Sequence, residues 1–245
     1  MARGWYVTLS DGKRVFYYRW DVEQGEPRAA VQVVHGMAEH GARYDELARH
    51  LAQAGCVVYA QDLRGHGKTA EDASELGWFA DQLGWDRAAE DIREFAEKIT
   101  REQPGIPLFL LGHSMGSFLA RTAMISFPGL YQGVLLSGTG GDPGPAGVVG
   151  SWIARRHIRR YGPRHPDKVL DRLSFGSFNR PFKPARTPFD WLSRDGAEVD
   201  AYIADPLCGC ICSSAFFRDL LSGLKFIHRR EHIDRIPKDM PVLLF

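Results

Sequence analysis

Short runs of apolar, often β-branched residues alternate with stretches of helical periodicity, and this alternation constrains the fold more than any other feature of the chain. Strands buried on both faces read as continuous apolar runs, whereas helices repeat their apolar residues every three or four positions. The pattern predicts an α/β fold, with a mostly parallel sheet flanked by helices. The predicted strands of that sheet cover residues 31–34, 56–60, 108–111, 134–136 and 242–245.

Turn and helix signals complete this outline. Residues 5–9 and 15–20 flank Asp11-Gly12, a pair that supplies the positive φ angles of a tight turn, so a hairpin is predicted to precede the parallel strands. Apolar residues at helical spacing predict helices over 44–52, around 92–99, over 117–127 and over 216–226.

The alternation fails in the second half of the chain. Residues 138–238 are rich in Pro, Gly, Arg and aromatic residues, with short helical stretches and no convincing strand. We therefore predict an α/β core over residues 1–137, a helical insertion that caps the sheet over residues 138–238, and the start of a seventh core strand over residues 239–245.

The chemistry of the chain is concentrated at Gly112-His113-Ser114-Met115-Gly116, a G-x-S-x-G pentapeptide. A buried-type strand leads into it and a helical pattern leads out, which is the context that gives the pentapeptide its meaning. A strand-to-helix turn this sharp crowds the backbone on either side of the serine, so small residues are required two positions away. The pattern predicts that Ser114 is an exposed nucleophile.

A serine nucleophile also requires backbone N–H groups to stabilise the oxyanion that forms when it attacks a carbonyl. Met115 follows the serine directly and opens a helix, so its N–H is one candidate donor. The second candidate is the N–H of Met37, in the loop after the strand at 31–34, because Gly36 permits a sharp turn there.

Four segments occur in a fixed order along the chain. They are His35-Gly36-Met37-Ala38-Glu39-His40 with Arg43-Tyr44, then Asp62-Leu63-Arg64-Gly65-His66-Gly67, then Gly112-His113-Ser114-Met115-Gly116-Ser117, and finally Trp191-Leu192-Ser193-Arg194-Asp195 with Tyr202 and Asp205-Pro206-Leu207-Cys208. In these segments the chain resembles the monoacylglycerol lipase and lysophospholipase group of the α/β-hydrolase superfamily. The resemblance spans nearly the whole chain and implies a serine ester hydrolase with a helical cap inserted after the sixth strand.

The resemblance also implies a triad acid after the seventh strand and a triad histidine after the eighth. This sequence ends within its predicted seventh strand, so we expect an N-terminal fragment whose histidine and acid lie beyond residue 245. A substitute acid is available in principle at Asp142, which follows the sixth strand. The histidines tested as substitute bases are His35, His40, His66 and His113, interpreted as structural, and His157, His165, His228 and His232 in the predicted cap.

Composition excludes several classes of protein. With 44% hydrophobic and 25% charged residues, and 31 Lys+Arg against 30 Asp+Glu, the chain is neither disordered, collagenous nor a coiled coil. No apolar run reaches the ~20 residues of a membrane span, and we expect a cytoplasmic protein. The spacing of the cysteines suits neither a disulfide framework nor a zinc site, so we predict reduced thiols and no metal or cofactor. Cys208, Cys210 and Cys212 are predicted to be buried or to line the cap.

The second half of the chain is the basic one, with 17 Lys+Arg and 12 Asp+Glu in residues 141–245. The densest cluster lies at Arg155, Arg156, Arg159, Arg160 and Arg164; it is either a solvated helix face or a contact for anionic lipid headgroups, and no nucleic-acid motif accompanies it. Eight aromatic residues in the same half of the chain are predicted either to line an acyl pocket or to form the core of a cap. They are Trp152, Phe175, Phe178, Phe182, Phe189, Trp191, Phe216 and Phe217.

Two functions are therefore considered. The first is hydrolysis of a carboxylic ester of the monoacylglycerol or lysophospholipid kind through an acyl-enzyme on Ser114, with a small-molecule ester or lipid as the partner. The alternative is a non-catalytic hydrolase-fold scaffold that binds a lipid or a protein. The sequence leaves open the oligomeric state, the acyl length, the head group, and the choice between ester and amide.

Overall fold

A seven-stranded sheet forms the centre of the molecule, which is described over residues 3–245 of a computed structural model. Its strands lie in the order β1-β2-β4-β3-β5-β6-β7; β1 and β2 form the predicted hairpin, β2 runs antiparallel to β4, and all other neighbours are parallel. The predicted fold class, a mostly parallel α/β sheet, is confirmed. The strands are β1 (Arg3–Thr8), β2 (Arg14–Trp20), β3 (Ala29–Val34), β4 (Cys56–Gln61), β5 (Leu108–His113), β6 (Gly133–Ser137) and β7 (Val242–Leu244).

Helices cover both faces of the sheet because the central strands are apolar on both sides. Val58 and Ala60 of β4 pack in a cluster with Ala48 and Ala52 of the first helix. The alternate residues of the same strand belong to the larger cluster on the opposite face, which the second and third helices complete. The helices that link these strands are α1 (Asp45–Gln53), α2 (Gly84–Glu102) and α3 (Met115–Ser126).

Between β6 and β7 the chain is helical, as the sequence pattern predicts. The helices are α4 (Gly144–Tyr161), α5 (Lys168–Phe175), α6 (Gly196–Ala204), α7 (Ser214–Ile227) and α8 (Arg230–Ile233). Helix α7 packs against the core helices, with Phe216 and Phe217 fully buried in the larger cluster and Gly223 directly against the Trp85 ring. The division of the chain at residues 138 and 238 into core and cap stays a prediction.

None of the helices formed by residues 3–245 is both long enough and apolar enough to cross a membrane.

A buried carboxylate fastens α5 to its neighbours. Asp167 caps α5 by accepting the Leu170 N–H at 3.1 Å, and it also accepts the Ser214 hydroxyl at 2.7 Å and contacts His157 Nδ1 at 2.8 Å. Burial alone would raise the pKa of this carboxyl, but the hydrogen bonds from Leu170, Ser214 and His157 together hold the pKa below its usual range. The ionised Asp167 side chain therefore links α5 to α4 and α7.

The change Asp167→Asn should lower the free energy of unfolding by about 1–2 kcal/mol at pH 7, because it removes the charge from a buried cap. A carboxyl with a lowered folded-state pKa stabilises the protein above its unfolded-state pKa, and that stabilisation is lost as the pH falls through the folded-state value. The difference in free energy of unfolding between the wild-type and Asp167→Asn proteins should therefore become smaller below about pH 4. Urea unfolding of both proteins at pH 7 and at pH 3 measures this difference.

The control for this prediction is Asp195→Asn, which changes a cap of α6 that accepts only the exposed Ala197 N–H at 2.9 Å. Asn and Asp are equally good caps, so this change should have little effect at either pH. An equal loss of stability in both variants would contradict the role given to the Asp167 charge. A stability difference between wild type and Asp167→Asn that does not depend on pH would contradict it as well.

Candidate active site

Ser114 occupies a sharp turn between β5 and α3. It has φ 51° and ψ −119°, a left-handed backbone conformation that residues other than glycine rarely adopt. Its N–H donates to the Ser137 carbonyl at 2.9 Å and its own carbonyl accepts the Ser117 N–H at 2.9 Å, so the strained backbone is held from both sides. The predicted strand-to-helix context of the pentapeptide is present.

The two glycines of the pentapeptide are required by close backbone contacts. A Cβ atom on Gly112 would lie 2.4 Å from the Gly116 carbonyl oxygen, and a Cβ atom on Gly116 would lie 2.1 Å from the Val34 carbonyl oxygen. Both obstacles are main-chain atoms of the sheet or of the elbow itself, so neither can rotate away. The elbow therefore forms only with glycine at these positions.

The change Gly116→Ala should lower the free energy of unfolding by about 3 kcal/mol or shift the turn, because its methyl group overlaps the β3 carbonyl. Thermal melting of the two proteins would show the loss as a lower midpoint. Gly141→Ala is the matched control, since a Cβ atom there meets nothing within 4 Å. A Gly116→Ala protein that melts with the control would show that β3 and the elbow are not in close contact.

The loop after β3 lies against Ser114. A Cβ atom built on Gly36 would be 3.4 Å from the Ser114 Cβ, so the Gly36-Met37 segment and Ser114 share one edge of the sheet. Met115 lies in the first turn of α3, where backbone N–H groups have no intrahelical acceptor. The contribution of the Met37 and Met115 N–H groups to an oxyanion hole stays a prediction.

Residues that received no individual role in the sequence analysis hold this loop in place. Glu39 Oε1 accepts the Gly36 N–H at 2.6 Å and the Tyr44 hydroxyl at 2.8 Å. Ala38 has φ 57°, and its carbonyl accepts the Tyr202 hydroxyl at 3.0 Å and the Gly209 N–H at 2.9 Å. Glu39 and Tyr202 belong to the motifs of the resemblance, and that was the signal available from the sequence.

A cavity of about 500 Å³ opens above Ser114. Phe175, Phe189 and Trp191 line it, together with Leu192, so part of the predicted aromatic set surrounds this cavity. Phe216 and Phe217 are instead buried in the core, and Trp152 is 60% exposed on the surface of α4. Phe178 and Phe182 are also exposed. The aromatic residues thus divide among the cavity, the core and the surface.

Among the described residues, His113 is the one histidine that lines the cavity with Ser114. Its Nδ1 lies 3.1 Å from the Ser137 hydroxyl oxygen. His35 is fully buried, and its Nε2 accepts the Leu63 N–H at 2.9 Å. Burial lowers the pKa of both His35 and His66 to about 3, so these two side chains are neutral supports for the surrounding loops.

The other candidates for base and acid lie elsewhere. His157 contacts Asp167, His228 Nδ1 contacts the Leu224 carbonyl, and His232 Nδ1 contacts the Phe226 carbonyl. His165 stacks on Tyr161, with 4.7 Å between the ring centroids. Asp142 lines a different cavity, between α4 and α7, and accepts the Gly144 N–H. The structure does not bring any of them to Ser114.

The three clustered cysteines have different surroundings. Cys210 lines the cavity above Ser114, and Cys212 is buried. Burial raises the pKa of the Cys208 thiol to about 12 and that of the Cys212 thiol well above its usual range. Cys208 lies near His40 and Asp205, whose Nε2 and Oδ2 atoms are 2.8 Å apart.

The parallel sheet, the strained serine elbow and the cavity above it define the class of the protein, a serine hydrolase of the α/β-hydrolase fold. Residues 25–245 match the family described as serine aminopeptidase, S33, and the chain belongs to this family.

Similar proteins support the same class. Human monoglyceride lipase is 29% identical over 241 residues, which cover 98% of this chain and 70% of the relative. Monoacylglycerol lipase of Mycolicibacterium smegmatis is 30% identical over 197 residues, covering 80% of this chain and 61% of the relative. The predicted resemblance to monoacylglycerol lipases, and the enzyme class of carboxylic ester hydrolase, are confirmed.

Two solved structures superimpose on this chain. A thermostable carboxyl esterase from Bacillus coagulans, in complex with glycerol, superimposes with a TM-score of 0.87 at 27% identity, covering 98% of this chain and 78% of the esterase. A soluble variant of monoglyceride lipase from Saccharomyces cerevisiae has a TM-score of 0.74 at 22% identity, covering 98% of this chain and 75% of the lipase, and shows the shared fold.

Proposed function

We propose that this protein hydrolyses monoacylglycerols, or lysophospholipids of similar shape, through an acyl-enzyme on Ser114. The observation that carries the proposal is the position of Ser114, on a strained elbow at the base of an aromatic-lined cavity of about 500 Å³. A cavity of this size and lining suits an amphiphile with one acyl chain. The names of the human and mycobacterial relatives support the monoacylglycerol as substrate.

In the proposed mechanism the Ser114 hydroxyl oxygen attacks the ester carbonyl while a base removes its proton. The N–H groups of Met37 and Met115 donate to the oxyanion of the tetrahedral intermediate. Collapse of the intermediate breaks the bond to the alcohol, which leaves with the proton that the base returns. Water then attacks the acyl-enzyme in the same way and releases the fatty acid.

The base and its acid partner are proposed to come from outside residues 3–245. This proposal is supported by the histidines described above, because each of them except His113 is held away from the cavity. His113 is the residue next to the nucleophile on β5, and its Nδ1 is already in contact with Ser137. A base must lie within hydrogen-bond reach of the serine hydroxyl, either directly or through one water.

The lining of the cavity suits both parts of the substrate. Phe175, Phe189 and Trp191 offer an apolar surface for the acyl chain. Glu39 and Arg43, which form an ion pair with 3.2 Å between Oε2 and Nε, offer polar groups to the alcohol. This combination of apolar and polar groups favours an ester that has one acyl chain and a hydroxylated head group.

The test is to incubate a hydrolytically active form of the protein with monooleoylglycerol and measure oleate release and the mass of the quenched protein. We expect an oleoyl adduct on the peptide that contains Ser114. Faster cleavage of aminoacyl p-nitroanilides than of any glyceride would overturn the proposal and favour the peptidase activity that the family description names.

We further propose a peripheral membrane contact through α4. Val148, Val149 and Trp152 are 57–69% exposed on this helix, and the basic cluster of the same helix follows them directly. Apolar side chains that enter the lipid interface beside arginines that meet phosphates are typical of interfacial helices. The chain could thus take its substrate from an anionic lipid surface.

Changing Arg155, Arg156, Arg159 and Arg160 to serine should weaken binding to vesicles rich in phosphatidylserine by about 10³-fold, because each arginine near the membrane surface contributes about 1 kcal/mol. Sedimentation with vesicles measures the effect. The control changes four basic residues outside α4 to serine: Arg229, Arg230, Arg235 and Lys238. Equal binding by both variants would show that the cluster is a solvated face.

A further inference from the structure

Three side chains with metal-binding atoms meet beside the active-site loop. His40 belongs to the segment after β3, whereas Asp205 and Cys208 belong to the segment after α6. The His40 Nε2, a carboxylate oxygen of Asp205 and the Cys208 Sγ all lie within 4.8 Å of one another. His40 is buried, while Asp205 and Cys208 are partly exposed, so a cation could enter from solvent.

The kind of donor selects the kind of cation. Imidazole, carboxylate and thiolate together suit Zn²⁺, whereas Mg²⁺ and Ca²⁺ require oxygen ligands. Bonds of about 2.0–2.3 Å at tetrahedral angles place donor atoms about 3.4–3.7 Å apart. The His40–Asp205 contact of 2.8 Å would therefore open slightly. The Cys208 Sγ, which lies within 4.8 Å of both atoms, would have to move by at most about 1.2 Å. The partly exposed side chains of Asp205 and Cys208 allow such shifts.

The charges around the cluster suit a divalent cation. Arg43 is paired with Glu39 and also contacts Cys208. With Asp205 and Glu39 negative and Arg43 positive, the group carries a net charge of −1 while Cys208 is a neutral thiol. When a divalent cation displaces the thiol proton, the thiolate and the cation together add one positive charge, which brings the sum to zero.

Binding of a cation at Nε2 of His40 constrains the other ring nitrogen, Nδ1. This Nδ1 is buried and has no hydrogen-bond partner among residues 3–245. When Nε2 binds a cation, the ring proton must be on Nδ1. The Asp62 carboxylate lies beside His40, because it accepts the N–H of the next residue, Gly41, at 2.7 Å.

We propose that His40, Asp205 and Cys208 form a Zn²⁺ site that links the active-site loop to the segment after α6. Binding exchanges the Cys208 thiol proton for the metal and releases that proton to solvent, with a water at the fourth position. The same two segments are already joined by the bonds from Tyr202 and Gly209 to the Ala38 carbonyl. A bound cation would therefore restrict the loop that carries Met37. The proposal is independent of the proposed function.

Titration of the chain with Co²⁺ is the first test, because a cobalt–thiolate bond gives a charge-transfer absorption in the near ultraviolet. We expect a single saturable site with this band, displacement of Co²⁺ by Zn²⁺, and no displacement by Mg²⁺. Zn²⁺ should also raise the melting temperature of the chain, since a ligand that binds only the folded state stabilises it. Absence of saturable Zn²⁺ binding up to about 100 μM would overturn the proposal, because even weak binding falls within that range.

The second test compares two thiols on the same loop. Cys208→Ser should weaken Zn²⁺ binding at least about 10-fold and abolish the cobalt–thiolate band, and Asp205→Asn should weaken binding by a similar factor. Cys210→Ser is the matched control, since Cys210 faces the cavity above Ser114 and should retain both signals. Loss of the band in Cys210→Ser with retention in Cys208→Ser would place the metal on a different group and refute the site.

Discussion

Replacing Ser114 with alanine in a hydrolytically active form of this protein should lower kcat/KM for monooleoylglycerol by about 10⁴-fold or more. The reason is that, in the proposed mechanism, the Ser114 hydroxyl oxygen forms the covalent bond to the acyl group. The oxyanion donors and the cavity would remain, so substrate binding should persist while turnover is lost. Release of oleate under single-turnover conditions measures the rate, and calorimetric titration with a non-hydrolysable ether analogue measures binding.

Ser151→Ala serves as the control for this prediction. The Ser151 hydroxyl donates to the Gly147 carbonyl on α4 and lines the separate cavity between α4 and α7, so its removal should leave the rate unchanged. Substantial hydrolysis by the Ser114→Ala protein, above what a heat-inactivated sample shows, would mean that another group performs the attack.

The isolated chain of residues 1–245 should react with a fluorophosphonate probe at least about 10³-fold more slowly than a protein with a complete triad, because among residues 3–245 the one histidine that lines the Ser114 cavity is His113, whose Nδ1 already contacts Ser137. Imidazole added to the solution should then increase the rate in proportion to its concentration. The cavity opens to solvent and is large enough for this small base, which could take the serine proton in place of the triad histidine. In-gel fluorescence of the labelled chain measures the rate.

Two controls distinguish rescue from non-specific labelling. The Ser114→Ala chain should remain unlabelled with and without imidazole, and N-methylmorpholine of similar basicity but larger size should be a poorer rescuer. Rapid labelling of the wild-type chain without imidazole would contradict the proposal and assign the base to residues 3–245. Loss of that rapid labelling in His113→Ala would then identify the base.

The nucleophile elbow could be predicted from the sequence because its constraints are local. Gly112, Ser114 and Gly116 lie within five positions, and the clashes that exclude a Cβ atom there involve the elbow itself and the adjacent strand. The parallel sheet was predictable for a related reason, since strands buried on both faces must be apolar throughout. The alternation of short apolar runs with amphipathic helices therefore determined the fold class.

The surroundings of Ser114 depend on contacts between distant parts of the chain. Tyr202 reaches the Ala38 carbonyl across 164 positions, and Asp205 reaches His40 across 165. No periodicity or spacing in the sequence encodes such a contact, because it arises only when helices after β6 fold back over the loop after β3. The motifs of the resemblance contained these residues but gave no indication of what each one touches.

The sequence by itself determined the sheet, the serine elbow and the family, because each of these rests on steric rules that act between near neighbours or on an ordered set of motifs. Only the tertiary structure decided which aromatic residues line the cavity. Phe175 and Phe216 are equally apolar, but packing places Phe175 in the cavity wall and Phe216 in the core. It also decided where each histidine lies. Burial and long-range hydrogen bonds fix both outcomes, and neither is a property of a local segment.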